Sequence, residues 1–370
     1  MANIDQHEIG KDWAYWLEDS SVQKSGGLID PGYLDEFHRM ACGWVRHFFL
    51  QAMSSIGDYH YHDQVENLSL FFIDSDARNA LALERPEKKG VGIHLGLIRS
   101  IWALLYRGIG AGNLIEVWFE DAPPLEDEAM EGISVFSDRI WAAENTTNWS
   151  SDRIQAHHDI FSRAVDFVIH HEIAHHVRGH IPYLKAEYGM SEIEEKLSFS
   201  TVSDPKRDAL RNLEYDADHT GLDMLMISLD RDLRMASWSE EQASREFFLQ
   251  SLAIIALFQL LDEAHSPLST HYALSHPAPV HRAMRLTHAL SFTFATQFNW
   301  TDATREEEHD LAWLAAADIA RQLKMPEGRW HGASTDGMDH AHFMKEEKEF
   351  IAFAEKLNAL NASGENNGDF

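Results

Sequence analysis

The chain has 370 residues, 44% of them apolar, with 11 Trp and 20 Phe. That is material for one large packed core or two smaller ones, and it excludes wholesale disorder. With 60 acidic residues against 31 basic ones the formal charge is -29, which disfavours nucleic acid or an anionic membrane as partner. The single cysteine, Cys42, excludes an intramolecular disulfide and a cysteine-rich zinc site.

In chain order, residues 1–60 read as mainly helical. "YLDEFHRMACGWVRHFFLQAM" (33–53) carries apolar residues at helical spacing. The opening "MANIDQHEIGKDW" lacks a charged-then-apolar leader pattern, so a cytoplasmic location is expected. Strand character follows in "LSLFFID" (68–74), "VGIHLGLI" (91–98) and "LIEVWFE" (114–120), with "LIRSIWALLYR" (97–107) as a helix between the last two. This predicts a small sheet with one crossing helix. "EDAPPLEDEAMEG" (120–132) reads as an acidic loop. A long helix is expected over 153–180, ended by Gly179 and Pro182, then a polar excursion over 185–204. Further helices are expected at 208–229, 239–262, 278–290, 302–324 and 345–360, before a frayed tail. The most apolar run, "FFLQSLAIIALFQLL" (247–261), is too short to span a bilayer and reads as a buried helix.

"FVIHHEIAHHVRGHIP" (167–182) carries the chemistry. Two imidazoles chelate one ion from a helix only when they share a face, and positions i and i+4 lie about 40° apart around the axis. His171 and His175 satisfy this, with Glu172 between them: the H-E-x-x-H arrangement. The metal acidifies a water and Glu172 takes its proton. A third histidine in the longer H-E-x-x-H-x-x-G-x-x-H pattern is absent, since Arg178 and Ile181 occupy the required positions. His180 falls about 180° around a continuous helix from His171. A carboxylate from the following helix is the other option. "LEYDADHTGLD" (213–223) places Glu214 and Asp218 on one face, Glu214 to complete the ligand set and Asp218 to accept the free N–H of His171. The competing reading, a solvated acidic face, is opposed by Leu213, Ala217, Leu222, Met224 and Leu225 on the same helix.

Taken together these motifs resemble the gluzincin metallopeptidases of the M48 type, the Ste24/HtpX-like group. "HEIAHHVRGH" (171–180) resembles its metal helix, which often carries a later histidine where His180 stands. "EYDAD" (214–218) is similar to its E-x-x-A-D signature, and "SHPAPVHR" (275–282) to its downstream His-Pro and Arg. "DARNALALERPEKKGVGIHLGLI" (76–98) resembles its Asn-Ala strand followed by a strand leading into a Gly-Leu helix start. The resemblance covers roughly 68–290. It implies an α+β zincin-like fold, mostly helical, whose small mixed sheet turns an edge strand toward the cleft; the strand near Val91–Gly96 is the expected edge, to which a substrate peptide adds. It also implies one zinc ion and places His276 and Arg282 beside the metal to stabilise the oxyanion. The short gap from His175 to Glu214 and the lack of transmembrane helices depart from the best-known members. Phage-exclusion (Lit-like) peptidases are a second H-E-x-x-H group.

The expected layout is an N-terminal helical region (1–60), a zincin-like metallopeptidase domain (61–300) and a C-terminal helical extension (301–370). The expected activity is zinc-dependent endopeptidase on a protein or peptide substrate, with no nucleic acid and no membrane span. The alternative is a metal-stabilised regulatory protein without turnover, which the intact Glu172 opposes. His60 with His62, and His331, His340 and His342, read as surface or loop histidines. Cys42 reads as a core residue.

Overall fold

The computed structural model describes residues 15–29, 36–57, 65, 67–86, 88–111, 150–194, 204–233, 237–262, 278–322, 330 and 340–363. The strand expected at 114–120, the acidic loop at 120–132, His60, His62 and His331 lie outside these residues. The chain divides into two compact units. The first comprises Met1–Arg99, Val168–Ser228 and Phe353–Phe370; the second comprises Ser100–Phe167 and Leu229–Ala352.

In the first unit, helix α1 (Ser20–Lys24) starts where the Asp19 carboxylate accepts from the N–H groups of Ser21 and Val22. Helix α2 (Glu36–Gly57) follows and buries Cys42. The sheet contains β1 (Leu68–Ile73), β2 (Ala80–Arg85), β3 (Lys88–His94) and β4 (Glu192–Glu194), in the order β1-β3-β2-β4. β1 runs parallel to β3, and the other pairs are antiparallel. One face packs Phe71, Ile73, Leu81 and Leu83 against Trp16 and Val22. The other packs Ala82 and Ile193 against Ile181, Tyr183 and Leu184, and against Leu210 and Leu213. Each such large apolar side chain contributes about 1.5–3 kcal/mol. Burial on both faces explains why the buried stretches Ala80–Leu83 of β2 and Gly90–Ile93 of β3 hold only small and apolar residues, the charged ones lying at the half-buried hairpin end.

The pairing corrects the expected edge strand. β3 is paired along its length on both sides, Leu68–Ile73 opposite Lys89–His94 and Ala80–Arg85 opposite Ile93–Lys88. It also stops at His94, and helix α3 (Leu95–Ala111) begins at the next residue. The cause is the hairpin between β2 and β3, which turns tightly between Arg85 and Lys88 and places β3 inside the sheet. Among the described residues the edges are β1 and the three-residue β4. The outer side of β1 is partly covered, since Ile29 N–H donates to Phe72 O at 3.1 Å and Asp74 N–H to Gly27 O at 2.9 Å.

Helix α4 (Ser151–Val177) begins in the second unit and, from Val168, belongs to the first. It ends earlier than expected, and Pro182 does not stop the chain. Gly179 adopts a left-handed conformation (φ 68, ψ 29), and helix α5 (His180–Tyr188) restarts at once. Pro182 is tolerated there because the first-turn N–H groups have no partner within the helix. Part of the expected excursion is therefore helix, followed by β4. Helix α6 (Asp204–Leu233) presents two stripes. Ala209 and Leu213 belong to the cluster that contains α5 residues, whereas Gly221 meets the backbone of α4.

The second unit is helical among its described residues. Helix α7 (Glu240–Leu261) opens with a capping box, in which Ser239 and Gln242 satisfy each other's backbone N–H. At 22 residues it is long and apolar enough to cross a membrane, longer than the 15-residue apolar run suggests. It is nearly all buried within the protein, packed against helix α8 (Pro279–Phe298) and helix α9 (Asp302–Gln322). Pro279 sits in the first turn of α8. Gly108 of α3 lies against Ile319, and Trp313 stacks on Trp330 with ring centroids 6.1 Å apart. Helix α10 (His340–Ser363) ends in the first unit, where Leu357 and Phe353 join the cluster around Tyr183.

Candidate metal centre

His171 and His175 lie one turn apart on α4, at 3% and 1% exposure, with their Nε2 atoms 3.2 Å apart. Glu214, at 0% exposure on α6, places Oε2 3.4 Å from His171 Nε2 and Oε1 3.7 Å from His175 Nε2. Four ligands bonded tetrahedrally at zinc-like lengths are separated by about 3.4 Å. The three edges seen here, 3.2, 3.4 and 3.7 Å, surround a point of that size. Glu172, on the turn between the two histidines, is 2% exposed.

Close helix packing makes this possible. A Cβ on Gly221 would lie 2.9 Å from the backbone N and 3.0 Å from the Cα of His171. Only glycine therefore lets α6 approach α4 this closely. The stripe through Glu214, Asp218 and Gly221 then faces the histidines, as the i, i+4 spacing predicts.

Asp218 Oδ1 is 3.0 Å from His171 Nδ1, at 1% exposure. The carboxylate can only accept, so a neutral His171 would turn an Nδ1–H toward it and leave Nε2 for a metal. Burial pulls the His171 pKa down, but the carboxylates of Asp218 and Glu214 outweigh it and hold it well above the ordinary value. The same pair of carboxylates attracts any cation placed there. His175 is moved the other way, well below the ordinary value: burial dominates, Glu214 opposes it and the neighbouring imidazoles add to it. That favours the neutral ring, the form able to bind a metal.

Behind His175 stand residues that the sequence reading passed over. His175 Nδ1 is 2.9 Å from His180 Nδ1, and His180 Nε2 is 2.9 Å from Asp216 Oδ2. Arg178 grips the same carboxylate, Nε to Oδ2 at 2.6 Å and Nη2 to Oδ1 at 3.1 Å, and reaches Asn358 Oδ1 at 2.7 Å. Burial pushes the Asp216 pKa up, but His180 and Arg178 hold it at about 2. His180 stands outside the set of His171, His175 and Glu214, but it is not turned away from it. The helix break at Gly179 returns its ring against His175. The available signals were the glycine before it and the middle acid of Glu214-x-Asp216-x-Asp218.

Two other histidines of the same half of α4 make structural links. His170 Nε2 is 3.4 Å from Ser228 Oγ, and His176 Nε2 is 3.1 Å from Gly90 O, pinning α4 to β3. Arg282 belongs to the second unit, where its guanidinium lies 4.6 Å from the centre of the Phe258 ring. His276 lies outside the described residues.

The cluster of His171, His175 and Glu214 is thus a buried set with ligand atoms within 4.8 Å of one another, able to hold a metal ion. Two imidazole Nε2 atoms converging beside a buried carboxylate can be served by one cation between them in place of a proton. In comparison with known proteins, residues 125–296, slightly under half of the chain, match a family model described as Peptidase U49. No curated protein and no solved structure matches the chain. The match supports a peptidase of the Lit-like U49 kind, rather than specifically the M48 kind.

Proposed function

We propose that the protein is a zinc-dependent endopeptidase, with His171, His175 and Glu214 as ligands and Glu172 as general base. The observation that carries this is the convergence of two imidazole Nε2 atoms and one carboxylate at 3.2–3.7 Å, with a second glutamate on the turn between the histidines. Two nitrogens and one oxygen in a compact set suit zinc, which is content with four ligands and leaves one position for chemistry. When bound, zinc supplies Lewis acidity, making a water acidic near neutral pH and polarising a peptide carbonyl. Glu172 takes the proton of that water and passes it to the leaving amine. Asp218 holds His171 in the tautomer that binds metal. A substrate peptide that adds to the sheet does so at β4 or β1, because β3 has no open side.

The Peptidase U49 match favours the Lit-like reading of kinship, and it leaves this mechanism unchanged. The test pairs metal content with cleavage of an unstructured protein such as casein. Wild type should bind one zinc and cleave, and chelation should stop cleavage. Glu172→Gln should keep the zinc and lose activity by on the order of 10²–10⁴-fold. Undiminished cleavage by this variant, or by the chelated protein, would overturn the proposal.

A further inference from the structure

We infer that His180, anchored by Asp216 and Arg178, is a positioning residue that sets the tautomer and ring orientation of His175. The inference rests on the zinc reading above and extends it to residues outside the ligand set. A cation between His171 and His175 requires a bare Nε2 on each ring, so the single proton of each neutral imidazole must sit on Nδ1. For His171 the acceptor of that proton is the Asp218 carboxylate, 3.0 Å away. For His175 the neighbour is another imidazole nitrogen, His180 Nδ1 at 2.9 Å. Two Nδ1 atoms at that distance share one proton. Which ring owns it is decided at the far side of His180, where Nε2 meets Asp216 Oδ2 at 2.9 Å. A carboxylate clamped by Arg178 accepts and does not donate. His180 therefore carries its proton on Nε2, its Nδ1 is an acceptor, and the shared proton belongs to His175.

The order of donation is His175 to His180 and His180 to Asp216, with Arg178 donating to the same carboxylate. The groups are deep: His180 is 0% and Asp216 5% exposed. Water therefore does not readily replace a lost link. The two ligand histidines are thus supported unequally, His171 by a carboxylate directly and His175 by a carboxylate one imidazole away.

The experiment uses the full chain with Co(II) in place of zinc, which adds a visible spectrum sensitive to ligand geometry. Cobalt affinity, by competition with a chelator, and the spectrum are measured for wild type, His180→Leu, His180→Gln, Asp216→Asn and His175→Ala. His180→Leu should bind cobalt on the order of 10–100-fold more weakly, with altered absorption bands. His180→Gln, whose amide oxygen can accept the His175 proton, should recover most of the affinity. Asp216→Asn should weaken binding as well, and it carries the test if His180→Leu does not fold. Wild-type affinity and spectrum in both His180→Leu and Asp216→Asn, with binding lost in His175→Ala, would overturn the positioning role and leave the zinc reading standing. Absence of cobalt and zinc binding in wild type would overturn both.

Discussion

The two halves of α4 hold the same residue type to opposite ends. In the half that belongs to the second unit, His157 is buried at 2% exposure against the edge of Trp102, with Nε2 3.1 Å from the Trp102 carbonyl. In the half from Val168 onward, His171 and His175 are equally buried, but their rings face carboxylates or an imidazole backed by one. His170 and His176, in that same half, are pinned by Ser228 and by the Gly90 carbonyl. Burial and clustering of histidine therefore do not mark a metal centre. What distinguishes the candidate metal centre is a buried carboxylate shared by two rings: the Nε2 atoms of His171 and His175 both face Glu214, whereas His157, His170 and His176 meet neutral oxygens.

The sharpest way to break this contrast is to truncate one histidine in each half. His175→Ala should drop metal content from one ion per chain toward none. His157→Ala should leave metal content intact and cost about 2–4 kcal/mol of stability through the cavity and the lost hydrogen bond. Loss of metal in both variants, read by elemental analysis, would dissolve the distinction. Next in size is Gly221→Ala. The added methyl meets backbone of α4, which cannot rotate away, so the helices must part. Denaturant unfolding should show a loss of about 1–3 kcal/mol, with weaker metal binding.

The third test uses acid. Burial, partly offset by the bond to Trp102 and assisted by His158, lowers the His157 pKa from 6.5 to about 3. The folded ring is neutral, whereas the unfolded ring takes a proton below about 6.5. The unfolded state binds more protons between those values, so this part of the stability is fully present above the upper value and declines as pH falls. By pH 5 the loss from this group is about 2 kcal/mol. His157→Phe should flatten the pH slope by that amount, whatever its effect on stability at neutral pH. The smallest effect is expected at Gln155, exposed on the same half and bonded to Asp159 at 2.8 Å. Gln155→Ala should change stability by no more than about 0.5 kcal/mol.

The local parts of the site were legible in the sequence. His171, His175 and the pair Glu214 and Asp218 each follow from i, i+4 geometry on one helix, and apolar neighbours at helical spacing marked both helices. The helices from α6 onward were legible for the same reason, within about five residues of their ends, except that α8 runs on to Phe298, past the expected end at 290. What was not legible depends on breaks and on pairing at a distance. The angle that removed His180 from consideration assumed a continuous helix, and Gly179 ends that continuity. Asp216 lies on a different stripe of α6 from Glu214, and that stripe matters only once α5 packs there. The interior place of β3 follows from its hairpin with β2 and its parallel pairing with β1, neither of which hydrophobic periodicity reports.

The contact between Arg178 and Asn358 spans 180 residues of chain. During synthesis at ~5–20 residues per second, His171 and His175 emerge about 10–40 s before Asn358. His171, His175, Arg178, Glu214 and Asp216 are made in one stretch, but the Asn358 partner of Arg178 arrives only with α10, which docks beside Tyr183. Assembly around this cluster therefore has an inherent order: the candidate ligands come first, and the contact from α10 to Arg178 closes later.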